Sequence, residues 1–231
     1  MRDQFVSLLR LRAAPPAIPP GFVRRARLED RLTAAAAHPV TLISAGPGDG
    51  KTLTLASWSR MDTAPGPVAW LALDETGNDL QAFWSDLLGS LTVSDAVPTD
   101  SALREVAPAA GFGARDALLV RAGLADLPDV VVLVLDDFHH ITDPGVLKSF
   151  GQLLDHQPPQ LRLMVATRAD PALRLHRLRV NGDLTDIRAQ DLAFTQRPQS
   201  CSRTTASTCR TGNSRCCSTV PGGGPPGCGW R

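Results

Sequence analysis

The stretch "ISAGPGDGKTLTL", residues 43–55, sets three glycines (Gly46, Gly48 and Gly50) directly ahead of Lys51 and Thr52. An apolar run precedes it and a helical pattern follows. Glycines let backbone N–H groups converge on a phosphate, a lysine neutralises the charge of further phosphates, and an adjacent hydroxyl can hold Mg²⁺. The sequence therefore marks Ala45, Gly46, Pro47, Gly48, Asp49, Gly50, Lys51, Thr52 and Leu53 as a candidate nucleotide-binding loop. The strict pattern G-x-x-x-x-G-K-[ST] puts glycine where this chain has Ala45. Pro47 also removes one N–H, and Asp49 adds a negative charge beside a polyphosphate, so weakened ATP affinity is expected. An ordinary glycine-rich turn is the competing reading.

Four short apolar runs surround this loop: "PVTLISA" (39–45), "PVAWLAL" (67–73), "DVVVLVLDD" (129–137) and "LRLMVATR" (161–168). Runs of this length, apolar at successive positions, suit parallel strands covered on both faces. Helical patterns separate them at 51–60, 79–91 and 143–156, with Asp79 and Asp143 as candidate N-caps. Another short helix is expected at 27–37, and "LTDIRAQDLAF" (184–194) supplies a fifth strand. Residues 92–128 read as helices broken at "AAGFGA". The expectation is an α/β P-loop NTPase with a five-stranded parallel sheet, helices on both faces and right-handed crossovers.

Two further signals lie at strand tips. "VVVLVLDDFHH" (130–140) ends an apolar strand in two carboxylates. In P-loop enzymes the first acid after such a strand serves the Mg²⁺ shell, and a second can polarise the attacking water. Asp136 and Asp137 take those roles in that order, Thr52 and Asp136 forming the metal pair. A capped loop after a buried strand is the plainer alternative, and His139 and His140 receive no role. "VATRAD" (165–170) ends a strand at Arg168, which could reach a γ-phosphate or simply lie on the surface.

The net charge of +1 over 231 residues conceals a split. Residues 1–191 carry 19 basic and 23 acidic groups, a net of −4, which gives no electrostatic reason to expect nucleic-acid binding. Arg10 and Arg12 interrupt the apolar patch near the start, which argues against a secretory signal, and no run is long enough for a membrane span. The first 200 residues contain no cysteine, so nothing suggests an oxidising compartment, and a cytoplasmic protein is expected.

"PGFVRRARLEDRL" (20–32), "LISAGPGDGKTLTLASW" (42–58), "VVLVLDDFHHITDP" (131–144) and the segment from Pro158 to Thr195 together carry a family resemblance. From about Pro20 to Thr195 the chain resembles the nucleotide-binding domain of the MalT-like, large ATP-binding LuxR-family transcription regulators, a branch of the STAND class of P-loop NTPases. Ala45 fits that family's loop, whereas Gly46, Pro47 and Asp49 depart from it. The resemblance implies ATP and Mg²⁺ as ligands, slow hydrolysis to ADP as a reset, and self-association of the ATP form. It also implies that the sensor and DNA-binding parts lie outside this sequence, with no direct DNA contact from the body. A free-standing P-loop ATPase and a product that binds no nucleotide remain open alternatives.

Residues 1–21 read as a loose Pro-rich arm, 22–194 as the NTPase domain and 195–231 as a disordered tail. The tail holds all five cysteines without a C-x₂-C pair, against both zinc and a disulfide scaffold. Re-reading its codons one base out of phase permits segments resembling the family's continuation, so a frameshift near Thr195 or Gln196 is expected.

Overall fold

Along the third apolar run, every residue from Val131 to Asp136 is buried. Neighbouring side chains nevertheless enter different cores. Val131, Leu133 and Leu135 pack into one cluster. Val132 and Val134 pack into a second. A strand alternates its side chains between faces, so a continuously apolar strand needs cover on both sides. The computed structural model describes residues 9–94, 96–106 and 114–193, and the expectations for the tail lie outside them.

The sheet is formed by β1 (Val40–Ser44), β2 (Val68–Ala72), β3 (Val131–Asp136), β4 (Leu161–Thr167) and β5 (Leu184–Arg188). Its order is β2-β3-β4-β1-β5, and every pairing is parallel. The expected five-stranded parallel α/β sheet is thus present. β4, late in sequence, lies between β1 and β3, so the tips of these three strands stand side by side.

Helices α1 (Ala26–Ala35) and α2 (Lys51–Trp58) cover the face of the second cluster, where Leu28, Leu32, Leu55 and Trp58 are buried. Buried Glu29 joins the two helices. It accepts from Arg24 at 3.1 and 2.9 Å and from the Ser57 hydroxyl at 2.9 Å. The Arg24 hydrogen bonds hold its carboxyl below the ordinary glutamate range, against the effect of burial.

The other face carries α3 (Leu80–Val93), α4 (Ala114–Ala125), α5 (Pro144–Asp155) and α6 (Leu175–Asn181). Phe83, Trp84 and Phe150 fill its centre, with Phe83 edge-on to both other rings. Asp79 caps α3 by accepting from Ala82 N at 2.8 Å. Asp143 caps α5 through Gly145 N and Val146 N. Such caps satisfy N–H groups that a helix start leaves open.

One expectation needs correction, and two others gain detail. The arm is packed over its described part: residues 9–12 are helical, and Leu9 and Ala13 are buried in the core. Arg12 secures it by donating to Ala72 O at 3.0 Å and to the buried carboxylate of Asp86 at 2.8 Å. The segment 184–194 supplies the expected fifth strand, β5, which stops at Arg188, and α7 (Ala189–Leu192) follows. Asp191 accepts from Arg188 N at 2.9 Å and so turns the chain into that helix. Finally, residues 92–128 contain the end of α3, a 3-10 turn at Ala102–Glu105 and α4; residues 107–113, which hold most of the expected break, lie outside the description.

Candidate functional site

The loop between β1 and α2 takes its shape from its glycines. Gly48 and Gly50 have φ of 83° and 79°, the left-handed region that glycine enters without steric cost. Gly50 is the N-cap of α2, and no side chain caps that helix. Its first N–H groups therefore face the loop without intrahelical acceptors, an arrangement suited to anions. Asp49 folds back over Gly46, where an added Cβ would stand 3.3 Å from the Asp49 Oδ2.

Lys51 is buried, and its Nζ donates to Ala45 O at 2.7 Å and Gly46 O at 2.8 Å. The amine thus lies across the mouth of the loop, held by carbonyls rather than by a carboxylate. Burial pulls its pKa below the ordinary lysine range; Asp49, Asp137 and Asp136 oppose this, and the charge of Arg168 reinforces it. All four groups therefore act on one ammonium.

Asp136 shares the strand parity of Val132 and Val134, so its side chain falls on the face covered by α2. There Thr52 Oγ1 donates to Asp136 Oδ1 at 3.1 Å. Burial lifts the Asp136 carboxyl to about 6, with the Thr52 hydrogen bond working against it. A hydroxyl and a carboxylate in contact beside a phosphate loop form a hard-oxygen donor pair suited to Mg²⁺.

Asp137 departs from the strand. Its φ of 54° makes it the one non-glycine residue with positive φ among those described. The kink starts the 3-10 turn Phe138–His140 and buries Phe138 in the core. Asp137 Oδ1 stands 3.7 Å from His139 Nδ1. Arg168, just past β4, is exposed, yet its charge is felt at both Lys51 and His139.

Sequence reasoning missed two residues here. The Arg25 guanidinium donates to Thr54 Oγ1 on α2 and to Leu192 O at the end of α7, linking the lead-in segment, the loop helix and the last described helix. Only its place just before α1 hinted at such a role. His139 is the other: its ring is largely buried and lies 4.3 Å from the ring of His140.

Phosphate loop, acid-tipped strand one place beyond β4 and parallel sheet define a P-loop NTPase of the α/β class. Comparison with known proteins narrows this. The chain is 34% identical over 176 residues to the HTH-type transcriptional regulator MalT of Cronobacter sakazakii, covering 75% of this chain and 19% of the relative. It is 32% identical over 175 residues to the HTH-type transcriptional regulator MalT of Serratia proteamaculans, with the same coverages of 75% and 19%. It thus spans about a fifth of the length of these curated relatives. Cdc6p from Pyrobaculum aerophilum matches 75% of this chain and 47% of its own at a TM-score of 0.50 and 18% identity, a likeness of fold alone. No protein-family model matches the chain. The body of this chain is a MalT-like NTPase domain.

Proposed function

We propose that the body binds ATP with Mg²⁺ and acts as the nucleotide switch of a LuxR-family transcription regulator, with slow hydrolysis returning it to the ADP form. The observation that carries this reading is the Lys51 ammonium, held on two loop carbonyls beside the buried Thr52–Asp136 pair. Those carbonyls are weak partners that a phosphate can replace without leaving a buried carboxylate unpaired. Gly46 to Thr52 cradle the phosphates, Ala45 and Leu53 border them, and Thr52 with Asp136 holds the Mg²⁺, which supplies charge neutralisation. Asp137 orients the attacking water or takes its proton, and Arg168 reaches the γ-phosphate.

The proposed unit runs to residue 194 and takes in the arm, whose Leu9 and Ala13 are buried in its core, and its ATP form self-associates. DNA contact is not assigned to it, in keeping with its negative charge balance. Among the described residues, no helix is long and apolar enough to cross a membrane.

Thermal unfolding with and without Mg-ATP tests the reading. Nucleotide at about 100 times its Kd adds about 2.7 kcal/mol of stability, and Lys51→Ala removes that gain. A response absent from the wild type, or unchanged in Lys51→Ala, contradicts it.

A further inference from the structure

The loop after β4 is fastened to β5, a strand with which β4 does not pair. Asp170, two residues past Arg168, accepts from both terminal nitrogens of Arg188 at the end of β5, one on each carboxylate oxygen. Arg179 of α6 donates to Asp170 Oδ2 at 3.2 Å and reaches Asp186 of β5 through Nε at 2.8 Å and Nη2 at 3.0 Å. Arg188 closes the circuit on Asp186 Oδ1. Two carboxylates and two guanidiniums thus alternate in a ring, each meeting both groups of opposite sign.

The place of this ring matters more than its strength. Thr167 of β4 and Arg188 of β5 are both register partners of Ser44, the last residue of β1. The link from Asp170 to Arg188 therefore crosses the tip of β1, where the phosphate loop begins. The same tip is tied to β4 by Ala45 N, which donates to Thr167 O at 3.2 Å. The buried Thr167 hydroxyl in turn donates to Ala169 O at 2.7 Å. Backbone on both sides of Arg168 is thereby pinned, while its side chain makes no hydrogen bond or ion pair among the described residues.

The four side chains of the ring are 28–42% exposed, and exposed ion pairs contribute little to stability. A forked guanidinium–carboxylate pair nevertheless fixes direction as well as distance. The hydrogen bonds from Arg188 hold the Asp170 carboxyl down to about 2, so the ring keeps its charges from neutral to mildly acidic pH. A strict geometry with a small share in stability suits the holding of a loop in place.

We propose that Asp170 is a positioning residue for Arg168: by anchoring the loop after β4 to Arg188 across the tip of β1, it sets that arginine for the γ-phosphate. The inference rests on the ATP-binding reading above, in which Arg168 reaches that phosphate. Asp170 touches no nucleotide and acts through the arginine two residues before it. ADP has no γ-phosphate and binds without drawing on this link. Asp170 therefore contributes to the preference for ATP over ADP rather than to affinity for both.

Isothermal titration with Mg-ATP and Mg-ADP tests this in wild type, Asp170→Ala, Arg168→Ala and the double variant. Asp170→Ala should weaken ATP about fivefold or more, a share of what one charge-assisted contact contributes. ADP affinity should stay within about twofold, and the urea midpoint near that of wild type, as for a change to exposed ion pairs. The double variant should bind ATP within about twofold of Arg168→Ala alone, because residues that act through one contact are not additive. Arg188→Gln cuts the same link from the β5 side and should reproduce the loss; it decides the matter if Asp170→Ala does not fold. Equal weakening of ATP and ADP, unchanged ATP affinity, or losses that add in the double variant overturn the proposal. Wild-type ATP affinity in Arg168→Ala overturns it too, since nothing is then left to position. Absence of nucleotide binding by the wild type, unlike these, removes the underlying ATP reading as well.

Discussion

Thr52 Oγ1 donates to Asp136 Oδ1 at 3.1 Å across 84 positions of sequence, fastening the first turn of α2 to the tip of β3. The bond spans two strands' width, because β4 lies between β1 and β3. It also leaves a carboxylate in an apolar setting with few partners, and that has a measurable cost.

Burial raises the folded-state value of Asp136 to about 6, above the ~3.9 of an unfolded chain. Below the unfolded value both states are protonated. As pH rises through the window from about 4 to about 6, the unfolded state releases its proton first and folding stability falls. Asp136→Asn removes this loss. Denaturation of both proteins without nucleotide or Mg²⁺ should show the variant gaining on the wild type over that window, on the order of 2–3 kcal/mol. A difference independent of pH contradicts the assignment.

Arg168 is exposed and lies beyond the end of β4, so its removal leaves the core untouched. Arg168→Ala should weaken ATP about tenfold or more, the worth of one charge-assisted contact, and leave ADP nearly unchanged. Isothermal titration with both nucleotides checks this. Equal weakening of the two places the arginine elsewhere than at the γ-phosphate.

Gly66 precedes β2, and a Cβ added there would meet Val130 O at 1.7 Å. Gly66→Ala must push the start of β2 away from β3. A loss of about 3 kcal/mol or more is expected, as for other severe overpacking. Gly182→Ala is the control. Its Cβ would meet nothing within 4 Å, but φ is 79°, so the loss should be about 1–2 kcal/mol from backbone strain alone. Urea denaturation of both variants ranks them.

Arg12→Ala leaves the buried Asp86 carboxylate without its guanidinium. Burial already holds that carboxyl above the ordinary aspartate range, so the variant should lose about 3 kcal/mol. Arg12→Ala combined with Asp86→Leu should recover much of it. Failure to recover would mean that the loss comes from the Arg12 contact with Ala72 O rather than from the stranded carboxylate.

The strands were legible because each is an apolar run with two faces to cover, and the caps at Asp79 and Asp143 because an acid precedes each helical pattern. The close meeting of Lys51, Thr52 and Asp136 follows from strand ends that the motifs already mark. What stayed hidden depends on distant partners. Arg12 finds its acceptors 60 and 74 positions away, and nothing in "RLRAAPP" announces them. Arg25 likewise meets a carbonyl 167 positions on. The left-handed turn at Asp137 is a tertiary choice: burying Phe138 against Phe150 requires the chain to kink where sequence alone suggests a continuing loop.

The strand order also fixes when the site can exist. β1 pairs only with β4 and β5, both made more than 100 residues later. As the chain leaves the ribosome, β2 and β3 can associate first, while β1 and the loop that follows it wait without a neighbour. Lys51 and its loop are therefore among the earliest synthesised parts of the domain and among the last to become ordered. Such non-local closure is slow, and a nascent chain halted before residue 161 should hold an exposed β1 edge open to chaperones.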